Sequence, residues 1–366
     1  MGVSMFSEEE VIRLFLKNGY QLSKGALPLV LHNPHKILED VSKLRPRPFI
    51  ITEEHVKKIF TSSKKPKPEI IVLKRYEILK KQIKIKDYIK NFQTRYEKIK
   101  NILTERMRGE NIISINKIPP YVSTFSVIGI VRRRGQNNIL IEDPSGEATI
   151  NFDTDIGKKL DEIKVDDVIG FTCKKMKENL IAKNIYFPET PSSREINKAD
   201  EGIKVAFLFD PPSLEKKQQK KLYDILNKDE LLSSVFVFKT SSIKKEEHPK
   251  LNLIEITKDS APTLFQIDKI KILVLQKKFF SLSKEVEPLN FIISILRHRN
   301  LIRSFDPKIH IGDNNFVLDE PPDIIVSDFE GGFYKNFKGT TIVLNSDPTK
   351  LFLINLKTRE VIEKSL

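Results

Sequence analysis

The chain has 366 residues, 39% of them hydrophobic and 31% charged, which is enough apolar material for two or three domains. No apolar run approaches the roughly 20 residues a bilayer-spanning helix needs, and the opening MGVSMFSEEEVIRLF turns acidic where a signal peptide would carry its apolar core, so a soluble, cytoplasmic protein is expected. The single Cys173 can form neither an internal disulfide nor a cysteine-based zinc site.

The formal charge of +14 is concentrated: residues 57–106 hold sixteen Lys and Arg against five Asp and Glu, leaving +3 for the rest. Such a run is either a solvated linker and helix face or a contact surface for nucleic-acid phosphates, and composition alone leaves both open.

In chain order, Ser7 and Glu10 fit a capping box before the apolar face of Val11, Leu14 and Phe15, and Asn18-Gly19 ends that helix. Ser23 is expected to cap a segment through Leu31, Asn33-Pro34 to open a helix through Leu44, and Thr52 to cap one from Glu53 to Phe60. Residues 1–60 therefore read as a helical N-terminal domain. TSSKKPKP at 61–68 cannot sustain a helix and opens a basic linker, residues 61–84. Beyond it, Tyr88, Ile89, Phe92, Tyr96, Ile99, Ile102 and Leu103 recur at helical spacing and predict an amphipathic helix docked on its neighbour.

Five strands are expected next, at Thr124–Val131, Asn138–Glu142, Ala148–Phe152, Val168–Lys174 and Leu180–Tyr186, with a helix over 157–163. Five strands with a helix after the third is the arrangement of an oligonucleotide-binding (OB) barrel, here residues 85–190 with its leading helix. Arg132, Arg133 and Arg134 are placed in the loop after the first strand, and Lys174, Lys175 and Lys177 in the last hairpin. These six are the candidate nucleic-acid-binding residues, while Phe125, Phe152 and Phe171 alternate as core residues would.

Pro188-Glu-Thr-Pro-Ser-Ser193 reads as a second linker. Residues 200–366 then alternate strands (204–209, 234–238, 253–256, 271–275, 323–326, 341–344, 351–355) with helices at 214–227 and 288–298, which predicts an α/β sandwich. The fold class expected is multidomain α+β. Gly331-Gly332 lacks the strand-loop-helix context of a phosphate loop and is read as a turn.

Several segments resemble the small (B) subunit of the archaeal D-family DNA polymerase, of the calcineurin-like phosphoesterase superfamily. They are Leu44–Val56 (LRPRPFIITEEHV), DYIKNFQTRYEKIKNIL from Asp87, YVSTFSVIGIV from Tyr121, IEDPSGEATI from Ile141, and PLNFIISILRHRNLIRSFDPKIHIGDNNFVLDEPPDII from Pro288. In that family a PDI strand leads into a Gly-His-x-His metal turn, whereas here Val326-Ser-Asp-Phe-Glu-Gly-Gly332 follows and no histidine comes after His310.

The family's other metal motifs fail as well. Asp210 fits a lead aspartate, but Pro212 stands where its histidine belongs; Lys239–Ser242 and Gln276-Lys277 replace the third and fourth motifs, and the second has no room. A two-metal centre needs several clustered N and O ligands, and Asp210 alone cannot supply them. His32, His35, His55, His248, His298 and His310 are scattered and read as core or surface residues, and Cys173 lies on a barrel strand, so no catalytic, metal or cofactor site is expected.

The resemblance implies an inactivated paralogue, a degenerate metallophosphoesterase-like sandwich joined to a barrel. It would serve as a non-catalytic accessory or scaffold subunit of a replicative DNA polymerase or replisome, binding the catalytic subunit and making weak nonspecific DNA contact at the archaeal nucleoid. The rival readings are a stand-alone single-stranded DNA-binding protein and, behind it, residual 3'-5' exonuclease or phosphodiesterase activity.

Overall fold

A computed structural model describes residues 6–31, 33–42, 47–57, 68–76, 85–153, 158–210, 214–238, 251–257, 262–280, 287–302 and 316–366. The chain divides into two compact units, Met1–Lys67 and Pro68–Leu366.

The first unit begins with α1 (Glu8–Lys17), whose capping box is made: Ser7 Oγ accepts the Glu10 N–H at 3.3 Å and the Glu10 carboxylate accepts the Ser7 N–H at 2.9 Å. Strand β1 (Gln21–Leu22), helices α2 (Leu27–Val30) and α3 (Pro34–Ser42), and strand β2 (Ile50–Ile51), parallel to β1, follow. Their core is Val11, Phe15, Tyr20, Ala26, Val30, Ile37, Val41, Ile51 and Val56. Thr52 caps as expected, its Oγ1 accepting the His55 N–H at 3.4 Å. Ser23 does not: α2 starts four residues later, and the Ser23 carbonyl receives the Ala26 and Leu27 N–H groups in a turn. In the RPRPF segment, Arg47 donates to the Tyr20 hydroxyl at 2.8 Å and stacks 4.8 Å above its ring.

The second unit opens with a departure from the sequence reading. Ile70–Arg75, inside the expected linker, form strand β3, antiparallel to Thr263–Ile267 at the edge of a six-stranded sheet. Run of β-branched residues outweighs the flanking lysines once a sheet edge is available. Helix α4 (Ile85–Arg106) follows, with its buried face starting late: Tyr96, Ile99 and Leu103 are buried, whereas Ile89 is exposed.

Strands β4 (Ser123–Arg134), β5 (Asn138–Asp143), β6 (Gly146–Asn151), β7 (Val168–Met176) and β8 (Asn179–Tyr186) close in the order β4-β5-β6-β8-β7, with a short 3-10 turn at Lys158–Glu162 after the third strand. β4 is buried on both faces, and the period of two explains why. Phe125, Val127 and Val131 point inward with Ile141, Phe171 and Cys173, while Ile128 and Ile130 point outward onto Tyr96, Ile99, Leu103 and Met107 of the α4 segment. Gly170 permits this approach, since a Cβ there would stand 2.4 Å from the Met107 sulfur.

The rest is a sandwich of β9 (Lys204–Phe209), α5 (Lys216–Lys228), β10 (Leu232–Phe238), β11 (Asn252–Ile256), β12 (Thr263–Ile267), β13 (Ile270–Leu275), α6 (Pro288–His298), β14 (Ile324–Ser327), β15 (Gly332–Phe337), β16 (Thr340–Asn345), β17 (Lys350–Asn355) and β18 (Val361–Ser365). One sheet runs β11-β10-β9-β17-β18 and the other β15-β16-β14-β13-β12-β3. Between them Phe207, Phe236, Phe238 and Phe352 meet Phe265, Ile272, Ile324 and Val326. The outer faces are covered too, by Leu222 and Leu226 of α5 on one sheet and Leu289, Ile292 and Ile295 of α6 on the other. Gly331-Gly332, expected as a turn, leads into β15, and a Cβ on Gly331 would stand 2.9 Å from that of Leu344.

Asp323, in the PDI segment, is fully buried and its carboxylate is fully used. Oδ1 accepts from Arg194 Nη2 at 2.6 Å and Asn197 Nδ2 at 3.1 Å, and Oδ2 accepts the Lys271 N–H at 2.8 Å. Arg359 donates to its backbone carbonyl. One side chain thus holds the segment after the ring to two strands of the six-stranded sheet. A second anchor lies outside the ring: Glu110 accepts from the hydroxyls of Tyr186 at 2.8 Å, Ser126 at 2.9 Å and Thr172 at 3.0 Å, and these hydrogen bonds, Tyr186 first, hold its carboxyl below the usual range.

Asp323→Ala, which strands the Arg194 guanidinium, is expected to cost about 3–5 kcal/mol in urea unfolding, with Asp323→Asn less damaging. Because the folded pKa of Glu110 is depressed, its stabilisation is complete above the ordinary glutamate value and fades as pH falls through the folded one. The melting-temperature gap between wild type and Glu110→Gln should therefore be widest at neutral pH and close in acid; a gap constant with pH would refute the assignment.

Candidate functional site

A metal centre in a sandwich of this kind would draw on the residues that follow the strands. Behind β9, Asp210 adopts φ +45° and its N–H bonds to the Phe238 carbonyl at 3.0 Å, prolonging the β9–β10 ladder by one step. Pro212 and Lys239–Ser242 lie outside the described residues, as do His32, His248 and His310. Behind β13, Gln276 is buried and its amide donates to the carbonyls of Ile256 and Thr257, at 3.4 and 2.5 Å, linking the ends of the two sheets. Behind β14, Ser327 is buried, and Asp328 Oδ1 accepts the Lys277 N–H at 2.5 Å.

These donors do not fit a metal pair. Gln276 and Asp328 bring one carboxamide oxygen and one carboxylate, fewer ligands than two cations require. Among the described residues no three His, Cys, Asp or Glu gather as a metal would require. His298 is instead packed against the ring, its Nδ1 3.5 Å from Asp167 Oδ2 and its ring edge-on to Phe187 at 5.2 Å. Buried Cys173 has its pKa pushed up to about 12 by desolvation, which leaves it an unreactive thiol.

The six basic candidates fall into two groups that the fold keeps apart. Arg132, Arg133 and Arg134 belong to the end of β4 and not to a loop, and Lys174 and Lys175 belong to β7, with only Lys177 in the hairpin turn, at φ +55°. β4 pairs with β7 so that Thr124 faces Lys174 and Ser123 faces Lys175, at the opposite end from the arginines. Nine residues of strand, about 30 Å, separate Thr124 from Arg133.

The groups also differ in their neighbours. Arg132 is paired with Glu142 and lies 4.0 Å from Asp166, and Arg134 is paired with Asp161. Lys174, Lys175 and Lys177 make no ion pair among the described residues, and Lys174 and Lys177 are exposed.

The arginine end is the end that meets the sandwich. Arg297 of α6 pairs with Glu162, His298 meets Asp167, and Val317 packs with Ile128, Ile130 and Val168. Glu189 joins the elements, with Lys338 at 2.6 Å, Arg106 at 3.1 Å and Arg297 at 3.7 Å converging on its carboxylate. Lys98 of α4 reaches Asp319 at 2.9 Å. None of these carboxylates carries a local sequence signal: Glu189 follows Pro188 and Asp319 precedes Glu320-Pro321-Pro322, in segments with no periodicity.

Comparison with known proteins gives a partial likeness. The chain is 30% identical over 134 residues to the DNA polymerase II small subunit of Methanothermobacter thermautotrophicus, covering 34% of this chain and 27% of that one. It is 22% identical over 216 residues to the DNA polymerase II small subunit of Archaeoglobus fulgidus, covering 52% and 44%. The matches thus span less than half of the curated relatives' length. No family model matches. Among solved structures, the hypothetical protein ygiW from E. coli aligns with 20% of the chain and 87% of its own at 17% identity and a TM-score of 0.17, too low to support an argument. No helix among the described residues is long and apolar enough to cross a membrane. A distant relationship to polymerase small subunits is what these findings support.

Proposed function

We propose that the chain is a non-catalytic accessory or scaffold subunit of a DNA polymerase or replisome assembly. In this reading the five-stranded ring is an oligonucleotide-binding barrel, residues 200–366 are a phosphoesterase-type sandwich without its metal chemistry, and the two together form the surface offered to a catalytic subunit. The observation that carries it is the match of up to 52% of the chain to proteins named as DNA polymerase small subunits. The neutral Gln276 amide bridging the strand ends where metal ligands would be needed supports the non-catalytic part.

A second reading, a stand-alone single-stranded DNA-binding protein, draws on the lysines of β7 that have no ion pair among the described residues. The two differ in what travels with the chain. Affinity purification of the full chain from its native cells is expected to bring down a catalytic polymerase chain in near-equal amount. Recovery of the chain alone, with tight oligonucleotide binding, would reverse the order of the two readings. Manganese-dependent release of nucleotides that disappears in Asp210→Ala would overturn the non-catalytic assignment.

A further inference from the structure

The end of the ring remote from the sandwich carries an exposed aromatic that the basic candidates alone did not reveal. Tyr121 is 68% exposed and Val122 64%, immediately before β4 begins at Ser123. Ser123 pairs with Lys175 and Thr124 with Lys174, so this aromatic enters the ring beside the β7–β8 hairpin. In that hairpin Met176 is 47% exposed and pairs with Asn179, and Lys177 and Glu178 form the turn. The result is a flat phenol with two apolar neighbours and three lysines, against a single carboxylate in the turn.

We propose that this surface, formed by Tyr121, Val122, Lys174, Lys175, Met176 and Lys177, takes single-stranded nucleic acid, with a base stacked on the Tyr121 ring and the adjoining phosphates held by the lysines. The inference rests on the reading that the chain contacts DNA and gives that contact a place. Three observations favour it. The lysines lack the carboxylate partners that neutralise Arg132 and Arg134. This end of β4 and β7 lies away from the residues that meet the sandwich, Asp167 and Ile130 among them, so it stays open when the rest of the ring is committed. A large exposed ring among cations also suits a base, which offers a π-face whatever its identity, better than it suits an acidic peptide.

The test is fluorescence anisotropy of the full chain with a labelled oligo(dT) single strand, across salt from about 50 to about 200 mM. Tyr121→Ala is expected to weaken binding by about fivefold or more with the salt slope kept, and Tyr121→Phe to bind as wild type, since stacking needs the ring and not the hydroxyl. The double change Lys174→Ala and Lys177→Ala should lower the slope of log affinity against log salt by about 1.4. If wild type binds oligo(dT) and both the Tyr121→Ala and lysine variants bind equally well, the site is wrong while the DNA reading stands. If wild type ignores oligo(dT) but binds polyglutamate through the same lysines, the surface serves an acidic protein and both fail.

Discussion

The contact on which the second unit most depends is the buried carboxylate of Asp323. Taking a carboxylate wholly out of water costs several kcal/mol unless its lone pairs are met, and here one guanidinium, one carboxamide and one backbone N–H meet them. The donors come from two remote parts of the chain: Arg194 and Asn197 from the segment that leaves the ring, Lys271 from β13. The segment that leads from ring to sandwich is therefore tied down at the bottom of a sheet. Arg359, from the β17–β18 turn, adds a bond to the Asp323 backbone and another to Thr341 Oγ1 at 3.1 Å.

Around that anchor the ring and sandwich meet through charges of mixed sign more than through a continuous apolar face. Glu189 gathers Arg106, Arg297 and Lys338, which belong to α4, α6 and the β15–β16 turn. A single carboxylate among three cations leaves a local surplus of positive charge, which Glu162 offsets through Arg297. The apolar part is small and specific: Val317 inserts beside Ile128, Ile130 and Val168 under the α4 segment. This accounts for the otherwise puzzling β4, whose seven consecutive buried residues serve the ring's interior and an outer interface alternately.

The sequence showed the body of the ring and of the sandwich well because alternation and turn chemistry are local. All seven expected strands of the sandwich are present, Lys204–Phe209 with the same bounds, as is helix Pro288–His298. Of the sandwich strands that escaped, only β3 depends wholly on a remote partner, whereas β12, β15 and β18 pair with a strand adjacent in the chain. β3 has four apolar residues, Ile70 to Leu73, set among basic ones, which read as linker until β12 offers them an edge. β15 and β18 are mostly exposed and carry little hydrophobic signal. The basic candidates were legible as residues and illegible as a site, since only the β4–β7 register reveals that arginines and lysines stand at opposite ends of one strand pair. Tyr121 gave no signal of its own, because an aromatic beside prolines is as consistent with core as with surface.

A sandwich with α5 on one outer face and α6 on the other buries both faces of both sheets, so every central strand is constrained along its length by packing alone. The residues that follow the strands are under no such constraint: nothing in the inter-sheet core of Phe207, Phe236 and Phe352 needs a metal beneath it. A neutral amide such as Gln276 can then close the gap between the sheet ends by donating to the Ile256 and Thr257 carbonyls. The outer surfaces of the sandwich and its contact with the ring therefore do not depend on which residues follow the strands.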